Sequence, residues 1–281
     1  MKILFSEHNF RLETPGELQQ QGHEVFIPKE EIKDVHEFGR DELLATLKDI
    51  KPEVLVVGLK FKIDKEIIDS VPLKAIFTRT TGLDHIDSKY CKEKGIEVVG
   101  LKGEELGGVS AVAELCMLKM LELVRRDSGE LKDKTLGIVG YGRIGRMVAD
   151  RATAFGMTVR YVDSAKDWEY ELPILLMKSD IISLHISSTE ENKNFIDKEK
   201  FEMMRDGAYF LNSSRPWLVD EEALKWALDN KLSGAWFDFD MPFEHSNLIT
   251  TPHIAGKTLE SSKKTEKIIV SKIIEYGNSN R

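Results

Sequence analysis

Residues 135–145 read TLGIVGYGRIG, a short apolar run followed by the pattern G-x-G-x-x-G. The run has the composition of a buried strand, and an amphipathic stretch at 146–155 predicts a helix after the glycines. A second strand-like run, TVRYVD, ends at Asp163. The glycine pattern alone says little, but a strand, a glycine-rich turn, a helix and a second strand ending in an acid predict a dinucleotide-binding βαβ unit.

The structure of such a unit explains why three positions need glycine and why a fourth needs an acid. Gly140 makes the tight turn, Gly142 lets the backbone approach a pyrophosphate, and Gly145 lets helix and strand pack closely. The helix N-terminus offers free N–H groups to the phosphates. A carboxylate at Asp163 accepts hydrogen bonds from ribose hydroxyls and repels a 2′-phosphate, so we expect NAD. Lys166 leaves NADP open, and a purely structural turn is the alternative to cofactor binding.

Outward from this unit, runs rich in Val and Ile alternate with amphipathic stretches along the whole chain. The runs lie at 2–6, 24–28, 53–58, 74–79 and 96–100, then at 181–186, 208–214, 234–239 and 247–252. Such alternation predicts parallel sheets covered by helices on both faces. A long helix at Val109–Arg126 separates two groups of runs, so we predict two doubly wound α/β domains with a boundary near Gly100. The tail at 259–276 is an amphipathic helix.

Composition narrows the class of protein. The net charge is −8 and the lysines are dispersed, which argues against nucleic acid as a partner. No apolar run reaches the roughly 18 residues of a membrane span, and polar residues interrupt the N-terminal run too early for a signal peptide. We therefore expect a cytoplasmic protein without a membrane partner. Cys91 and Cys116 have neither disulfide nor metal spacing, so we expect core packing and no metal site.

Residues that directly follow the later strands are the candidates for chemistry, because ligands in such sheets bind beyond the carboxyl ends of the strands. They are Arg215, Glu244 and His253. Histidine exchanges protons near neutral pH, arginine holds a carboxylate through a planar fork, and a carboxylate can orient the histidine. Any one of the three alone is more typical of a solvated loop, but the set suits hydride exchange with a 2-hydroxy acid.

At these residues the chain resembles the D-isomer-specific 2-hydroxyacid dehydrogenase family, which includes glycerate, phosphoglycerate and D-lactate dehydrogenases. The matching blocks are TGLDHID (81–87), VAE (112–114), LGIVGYGRIG (136–145), SDIISLH (179–185), GAYFLNSSR (207–215) and TPHIAG (251–256). The resemblance implies a Rossmann NAD domain, residues 100–257, inserted in a flavodoxin-like substrate domain, residues 1–99 completed by a C-terminal helix at 258–281. It also implies a homodimer formed through the NAD domain, with the helix from Val109 at the interface.

The resemblance further implies roles for single residues. Arg215 binds the substrate, His253 is the general acid/base and Glu244 is its partner. The implied cofactor contacts are Gly140, Gly142, Gly145 and Asp163, Arg143 and Ile144 through their backbone, His185 on the adenine side, Ser187, Asn212, Ser213, Asp238 at the nicotinamide carboxamide, and Gly256. The implied substrate-carboxylate loop comprises Gly58, Leu59 and Lys60, with Gly82 in a nearby turn.

The chain departs from the family pattern near the chemistry. Pro216 stands where the family usually has glycine, and proline favours an extended Arg215 and removes a backbone donor. The segment between Asp238 and His253 is short, so Asp240 is the alternative to Glu244 as partner of His253. The usual proline after the Leu-His pair is also replaced, and the sequence here reads His185-Ile186-Ser187.

The main hypothesis is an NAD-dependent oxidoreductase that interconverts a small D-2-hydroxy acid and its 2-keto acid in a cleft between the domains. A non-enzymatic NAD(H)-sensing protein of the same fold is the alternative. A third possibility is a dehydrogenase of another substrate class, such as phosphonate or formate. The sequence leaves the identity of the acid open.

Overall fold

The computed structural model describes residues 1–6, 13–27, 38–80, 82–102, 109–163 and 165–280. The chain divides into two compact units, Met1–Gly107 with Leu259–Arg281, and Gly108–Thr258. Each unit contains one parallel sheet with helices around it. The two-sheet α/β fold predicted from the alternation of strands and helices is therefore confirmed.

The first unit has a five-stranded sheet in the order β2-β1-β3-β4-β5. Its strands are β1 (Lys2–Phe5), β2 (Glu24–Phe26), β3 (Val54–Val57), β4 (Ala75–Thr78) and β5 (Glu97–Val99). Its helices are α1 (Glu13–Gln20), α2 (Arg40–Ile50), α3 (Lys65–Asp69), α4 (Ser88–Glu93) and α10 (Leu259–Ser279). This is the flavodoxin-like order, in which the direction of winding reverses between β1 and β3.

The last helix belongs to the core of this unit. Ile269 and Ile273 of α10 are fully buried in one cluster with Ile3 of β1. Leu101 lies in the same cluster, and its N–H donates to the Thr80 carbonyl (2.9 Å). Leu101 therefore packs with the first unit, which comprises Met1–Gly107 and Leu259–Arg281.

The second unit has a six-stranded parallel sheet in the order β11-β10-β9-β8-β6-β7. Its strands are β6 (Thr135–Val139), β7 (Thr158–Val162), β8 (Ile181–Leu184), β9 (Ala208–Asn212), β10 (Leu232–Phe237) and β11 (Leu248–Thr250). Its helices are α5 (Val109–Arg126), α6 (Arg143–Ala154), α7 (Ala165–Lys178), α8 (Lys198–Met203) and α9 (Glu221–Asn230). Here the winding reverses between β6 and β8.

Both faces of this sheet are buried, as its continuous apolar strands require. Leu211 and Trp236 point to the face covered by α5 and α6, whereas their neighbours Phe210 and Phe237 point to the face covered by α7, α8 and α9. The central strands are therefore held from both sides, and their carboxyl ends form a fixed edge for ligand binding.

One helix start differs from the prediction. The helix α6 begins at Arg143, three residues earlier than expected, and Gly142 is its N-cap. The sequence did not indicate this start, because glycine has no side chain that could cap the helix. Among the helices that the structure describes, none is both long and apolar enough to cross a membrane.

Candidate active site

The glycine-rich turn joins β6 to α6 at the point where the winding of the sheet reverses. Gly140 has φ +98°, and a Cβ there would lie 2.7 Å from the carbonyl group of His185, which follows β8. A Cβ on Gly145 would overlap the Gly140 carbonyl oxygen, but a Cβ on Gly142 meets no atom within 4 Å. Two glycines are thus required by the protein's own packing, and Gly142 leaves open space in front of the turn.

This open space has the chemistry of an anion site. Arg143 and Ile144 form the first turn of α6, where backbone N–H groups have no acceptor within the helix. These N–H groups and the positive end of the helix dipole favour a pyrophosphate. The open space in front of Gly142, at the N-terminus of α6, therefore fits the pyrophosphate of a dinucleotide.

Asp163 lies beside the turn, as its spacing predicted. It follows β7, its side chain is exposed, and its Oδ1 accepts a hydrogen bond from the Tyr141 N–H (2.6 Å). A carboxylate fixed at this place can accept ribose hydroxyls and disfavours a 2′-phosphate. Lys166, the cation that left NADP open, lies exposed in the first turn of α7.

His185 is the next residue along this edge. Its Nε2 lies 2.8 Å from the Ser183 hydroxyl, and its Nδ1 is buried. Burial lowers the pKa of His185 to about 4, so its ring is neutral at neutral pH. Ser187 is exposed two residues further on, and its carbonyl accepts from Asn192 Nδ2 (2.8 Å). A neutral ring suits the wall of a cofactor site better than proton transfer.

The loop that carries Arg215 is held by a buried amide. Asn212 ends β9, and its Oδ1 accepts the Ser214 N–H (2.9 Å) while its Nδ2 donates to the Arg215 carbonyl (2.8 Å). Arg215 is extended (φ −150°, ψ 145°) and Pro216 opens a 3₁₀ turn, so the predicted effect of proline is confirmed. Both the oxygen and the nitrogen of the Asn212 side-chain amide thus bond to this loop, a structural role that the sequence did not predict.

Ser213 lies at the start of the same loop and contacts α5. The Cys116 thiol donates to its hydroxyl (3.5 Å), and burial raises the pKa of Cys116 to about 12. Cys91 is likewise buried and free. The prediction that both cysteines are core residues is confirmed.

His253 lies on a second loop, held by the buried carboxylate of Asp238. Asp238 Oδ1 accepts the Ile254 N–H (2.9 Å) and Oδ2 accepts the Ala255 N–H (2.8 Å). The His253 N–H donates to the Thr251 carbonyl (2.8 Å), and His253 has φ +52°. This conformation costs a non-glycine residue about 1–2 kcal/mol, so the hydrogen bonds around it must hold it in place.

The Arg215 loop follows β9 and the His253 loop follows β11, and β10, which leads into Asp238, lies between these two strands. The Asp238 N–H donates to the Asn212 carbonyl (3.0 Å), so the residues that hold the Arg215 loop and the His253 loop are directly bonded. The His253 ring packs edge-on against Phe239, with ring centroids 4.9 Å apart. Gly256 follows the Asp238 contacts and is half-buried. Arg215 and His253 thus lie at the same edge of the sheet of the second unit.

The acid partner of His253 is not fixed by the geometry. Glu244 and Asp240 are both exposed, and neither forms a hydrogen bond or an ion pair with any other residue that the structure describes. The pairing of Glu244 with His253, with Asp240 as alternative, stays a prediction.

The predicted substrate-carboxylate loop lies at the corresponding edge of the first unit. Gly58, Leu59 and Lys60 follow β3, and the Gly58 N–H donates to the Ser6 hydroxyl (3.4 Å). A small pocket lies where the winding of this sheet reverses, and it is lined by Ser6, Phe38, Val57, Gly58, Lys60, Phe61 and Ile63. The Gly82 carbonyl accepts from Thr80 (2.8 Å), while Thr81 lies outside the described residues.

The sheet order, glycine-rich turn and acid after β7 define a dinucleotide-binding protein of the doubly wound class. No group of three or more metal-ligating side chains is placed to hold an ion within the described ranges. Residues 119–255 match the family profile described as D-isomer specific 2-hydroxyacid dehydrogenase, NAD binding domain.

Similarity to known proteins extends over nearly the whole chain. A hydroxypyruvate reductase of Thermotoga maritima is 32% identical, with 95% of this chain and 98% of that protein covered. A glyoxylate reductase of Thermofilum pendens is 32% identical over 84% of this chain and 81% of its own length. The NAD⁺-bound 3-phosphoglycerate dehydrogenase of Entamoeba histolytica has a similar structure (TM-score 0.83, 26% identity, 100% and 96% coverage).

The chain belongs to the D-isomer-specific 2-hydroxyacid dehydrogenase family. It is an NAD-dependent oxidoreductase, and the predicted family, fold and cofactor are confirmed. The roles of single residues, the domain limits at 99/100 and 257/258 and the particular substrate stay predictions.

Proposed function

We propose that the protein reduces a small 2-keto acid to the D-2-hydroxy acid with NADH, and catalyses the reverse reaction with NAD⁺. The observation that supports this most directly is the bonded pair Asn212 and Asp238, which holds the Arg215 and His253 loops side by side. A cationic fork and an imidazole at one edge of an NAD domain suit a substrate with a carboxylate beside a carbonyl.

In the proposed reduction, Arg215 binds the substrate carboxylate and polarises the C2 oxygen. His253 enters as the imidazolium and gives its proton to that oxygen, and it takes a proton back in the oxidation. Bound NADH supplies the hydride that reaches C2. Glu244 stabilises the imidazolium and sets its orientation, with Asp240 as the alternative.

The first unit is proposed to bind the substrate carboxylate through Gly58, Leu59, Lys60 and the turn at Gly82. Backbone N–H groups of a loop at strand ends and a lysine together suit a small anion. Hydroxypyruvate and glyoxylate are the first substrates to test, because similar proteins are named for them.

A second candidate function is NAD(H) sensing without catalysis. It is favoured by Glu244 and Asp240, which lie exposed without a bonded partner in the described structure, and by Pro216 after the arginine. In that case NADH binds tightly but no 2-keto acid is reduced. Formate chemistry, the third possibility, needs no proton acceptor and would make His253 dispensable.

The test is a panel of 2-keto acids with NADH, followed by absorbance, on wild type and His253→Ala. We expect turnover by wild type, none by His253→Ala, and the same NADH affinity in both. His245→Asn is the matched control, because His245 lies before β11, eight residues from His253, and its ring contacts Asp229 (3.3 Å). Wild-type activity in His253→Ala would exclude the proton-transfer role, and inactivity of wild type would favour sensing.

The assembly and location are also proposals. We propose a homodimer through the NAD domain, where α5 exposes Leu118 on its outer side (56%). A dimer in analytical ultracentrifugation that dissociates in Leu118→Asp is expected, and a wild-type monomer would contradict it. The cytoplasmic location is proposed from the sequence pattern alone.

A further inference from the structure

We propose that Thr251 is a positioning residue for His253, acting through Asp238. This inference rests on the proposed function, because it assumes that His253 exchanges the substrate proton. Thr251 precedes the Pro252-His253 pair, and its hydroxyl is bonded to two buried side chains, Trp236 and Asp238, at the end of the preceding strand β10.

The hydroxyl of Thr251 is used as both acceptor and donor. It accepts a hydrogen bond from Trp236 Nε1 (3.0 Å) and donates one to Asp238 Oδ1 (2.6 Å). Trp236 and Asp238 are fully buried. A buried carboxylate needs donors around it. Among the residues that the structure describes, Asp238 accepts from this hydroxyl and from the N–H groups of Ile254 and Ala255.

The contacts bracket His253 from both sides. Thr251 is two residues before it and bonded to Asp238, while Ile254 and Ala255 directly follow it and are bonded to the same carboxylate. The left-handed backbone of His253 is thus fixed by neighbours on a rigid strand end. Trp236 fixes the hydroxyl itself, since the indole N–H has a single direction in which it can donate.

The hydroxyl therefore determines where the imidazole lies. Without it, the Trp236 N–H loses the acceptor that the described structure gives it, and Asp238 loses one of its described donors. The loop can then relax toward an unstrained conformation at His253. A displacement of a catalytic group by about 1 Å is enough to cost about 100-fold in rate. The glycine-rich turn and Asp163 follow other strands, β6 and β7, so the pyrophosphate and ribose of NADH should bind as in wild type.

Thr251→Val tests the inference, with Thr251→Ser as the matched control, because valine keeps the shape and serine keeps the hydroxyl. We expect Thr251→Val to lower kcat at least about tenfold with less than about twofold change in the Kd of NADH, and Thr251→Ser to stay near wild type. Amide hydrogen exchange at Ile254 and Ala255 should accelerate in Thr251→Val only.

A folded Thr251→Val with wild-type kcat and wild-type exchange would overturn the inference, and so would equal losses in Thr251→Val and Thr251→Ser. If Thr251→Val does not fold, Thr251→Cys takes its place, because a thiol is a weaker donor and should cause a smaller loss in the same direction. Inactivity of the wild type toward every 2-keto acid would refute the proposed function instead, and the exchange data would then decide whether Thr251 holds the loop.

Discussion

Replacing Gly142 with alanine should separate cofactor binding from folding. Gly142 is the N-cap of α6 with φ −72° and ψ −160°, a conformation that alanine can adopt, and a Cβ there meets no atom within 4 Å. The other two glycines differ, because Gly140 has φ +98° and a Cβ on Gly145 would overlap the Gly140 carbonyl. Only at Gly142 does an added methyl enter the space reserved for the pyrophosphate.

The expected magnitudes follow from this geometry. Alanine is a poorer N-cap than glycine by roughly 0.5 kcal/mol, and the stiffer unfolded chain offsets this by about 0.4–1 kcal/mol. The free energy of unfolding should therefore stay within about 0.5 kcal/mol of wild type. The affinity for NADH should fall at least about tenfold, or about 1.4 kcal/mol, because the methyl keeps the phosphates from the N–H groups of α6.

The assay is NADH titration by fluorescence beside urea unfolding of the same samples. Gly39→Ala is a matched control: Gly39 is the N-cap of α2 with φ −67° and ψ 162°, and a Cβ there also meets nothing within 4 Å. It should reproduce the stability effect and leave the Kd of NADH unchanged. A Gly142→Ala protein that binds NADH like wild type would refute the pyrophosphate site at the start of α6.

Three further predictions concern the residues around the cofactor and the substrate. Arg215→Lys should mainly raise the KM for the 2-keto acid because a bidentate contact is lost, and an unchanged KM in steady-state kinetics would remove Arg215 as the anchor. Asp163→Asn keeps an acceptor for the Tyr141 N–H but loses the negative charge. The ratio of kcat/KM with NADPH to kcat/KM with NADH should therefore rise about tenfold or more. An unchanged ratio would contradict the role of this charge in excluding NADP. His185 has a folded pKa of about 4 against about 6.5 unfolded, so it adds stability above pH 6.5 that is lost as the pH falls toward 4. Urea unfolding of wild type should thus lose up to about 3 kcal/mol over this range relative to His185→Phe, and parallel pH profiles would show that the ring is not buried in its neutral form.

The βαβ unit could be predicted from sequence because its determinants are local. The runs predicted at 135–140 and 158–163 correspond to β6 and β7, and Val109–Arg126 is α5 as expected. The start of α6 was missed since Gly142 caps it without a side-chain signal. Periodicity identified the elements, while their ends depended on backbone geometry.

The support of the site could not be predicted from local pattern. The resemblance implies that Asn212 and Asp238 contact the cofactor, which stays a prediction. The structure adds that their buried side chains hold the loops of Arg215 and His253. That function depends on which strands lie side by side, and on Thr251 reaching Trp236. The adjacency of Thr251 to Pro252 and His253 was the one available signal.

The sequence could not decide between Glu244 and Asp240 as the partner of His253, because local pattern does not fix the direction of a side chain. Residues 240–247 contain no helix or strand in the structure, so no periodic pattern could orient Glu244 or Asp240. Spacing along the chain can place a carboxylate on this connection, but it cannot direct its side chain to an imidazole.

The central claim is that NADH transfers a hydride to C2 of a 2-keto acid while His253 donates a proton to the C2 oxygen. It is tested most directly by reacting NADH deuterated at the nicotinamide C4 with glyoxylate or hydroxypyruvate and locating the label by NMR. Deuterium at C2 of the product from wild type, with none transferred by His253→Ala, is the predicted result. NADH that binds tightly but transfers no deuterium to any 2-keto acid would contradict the claim.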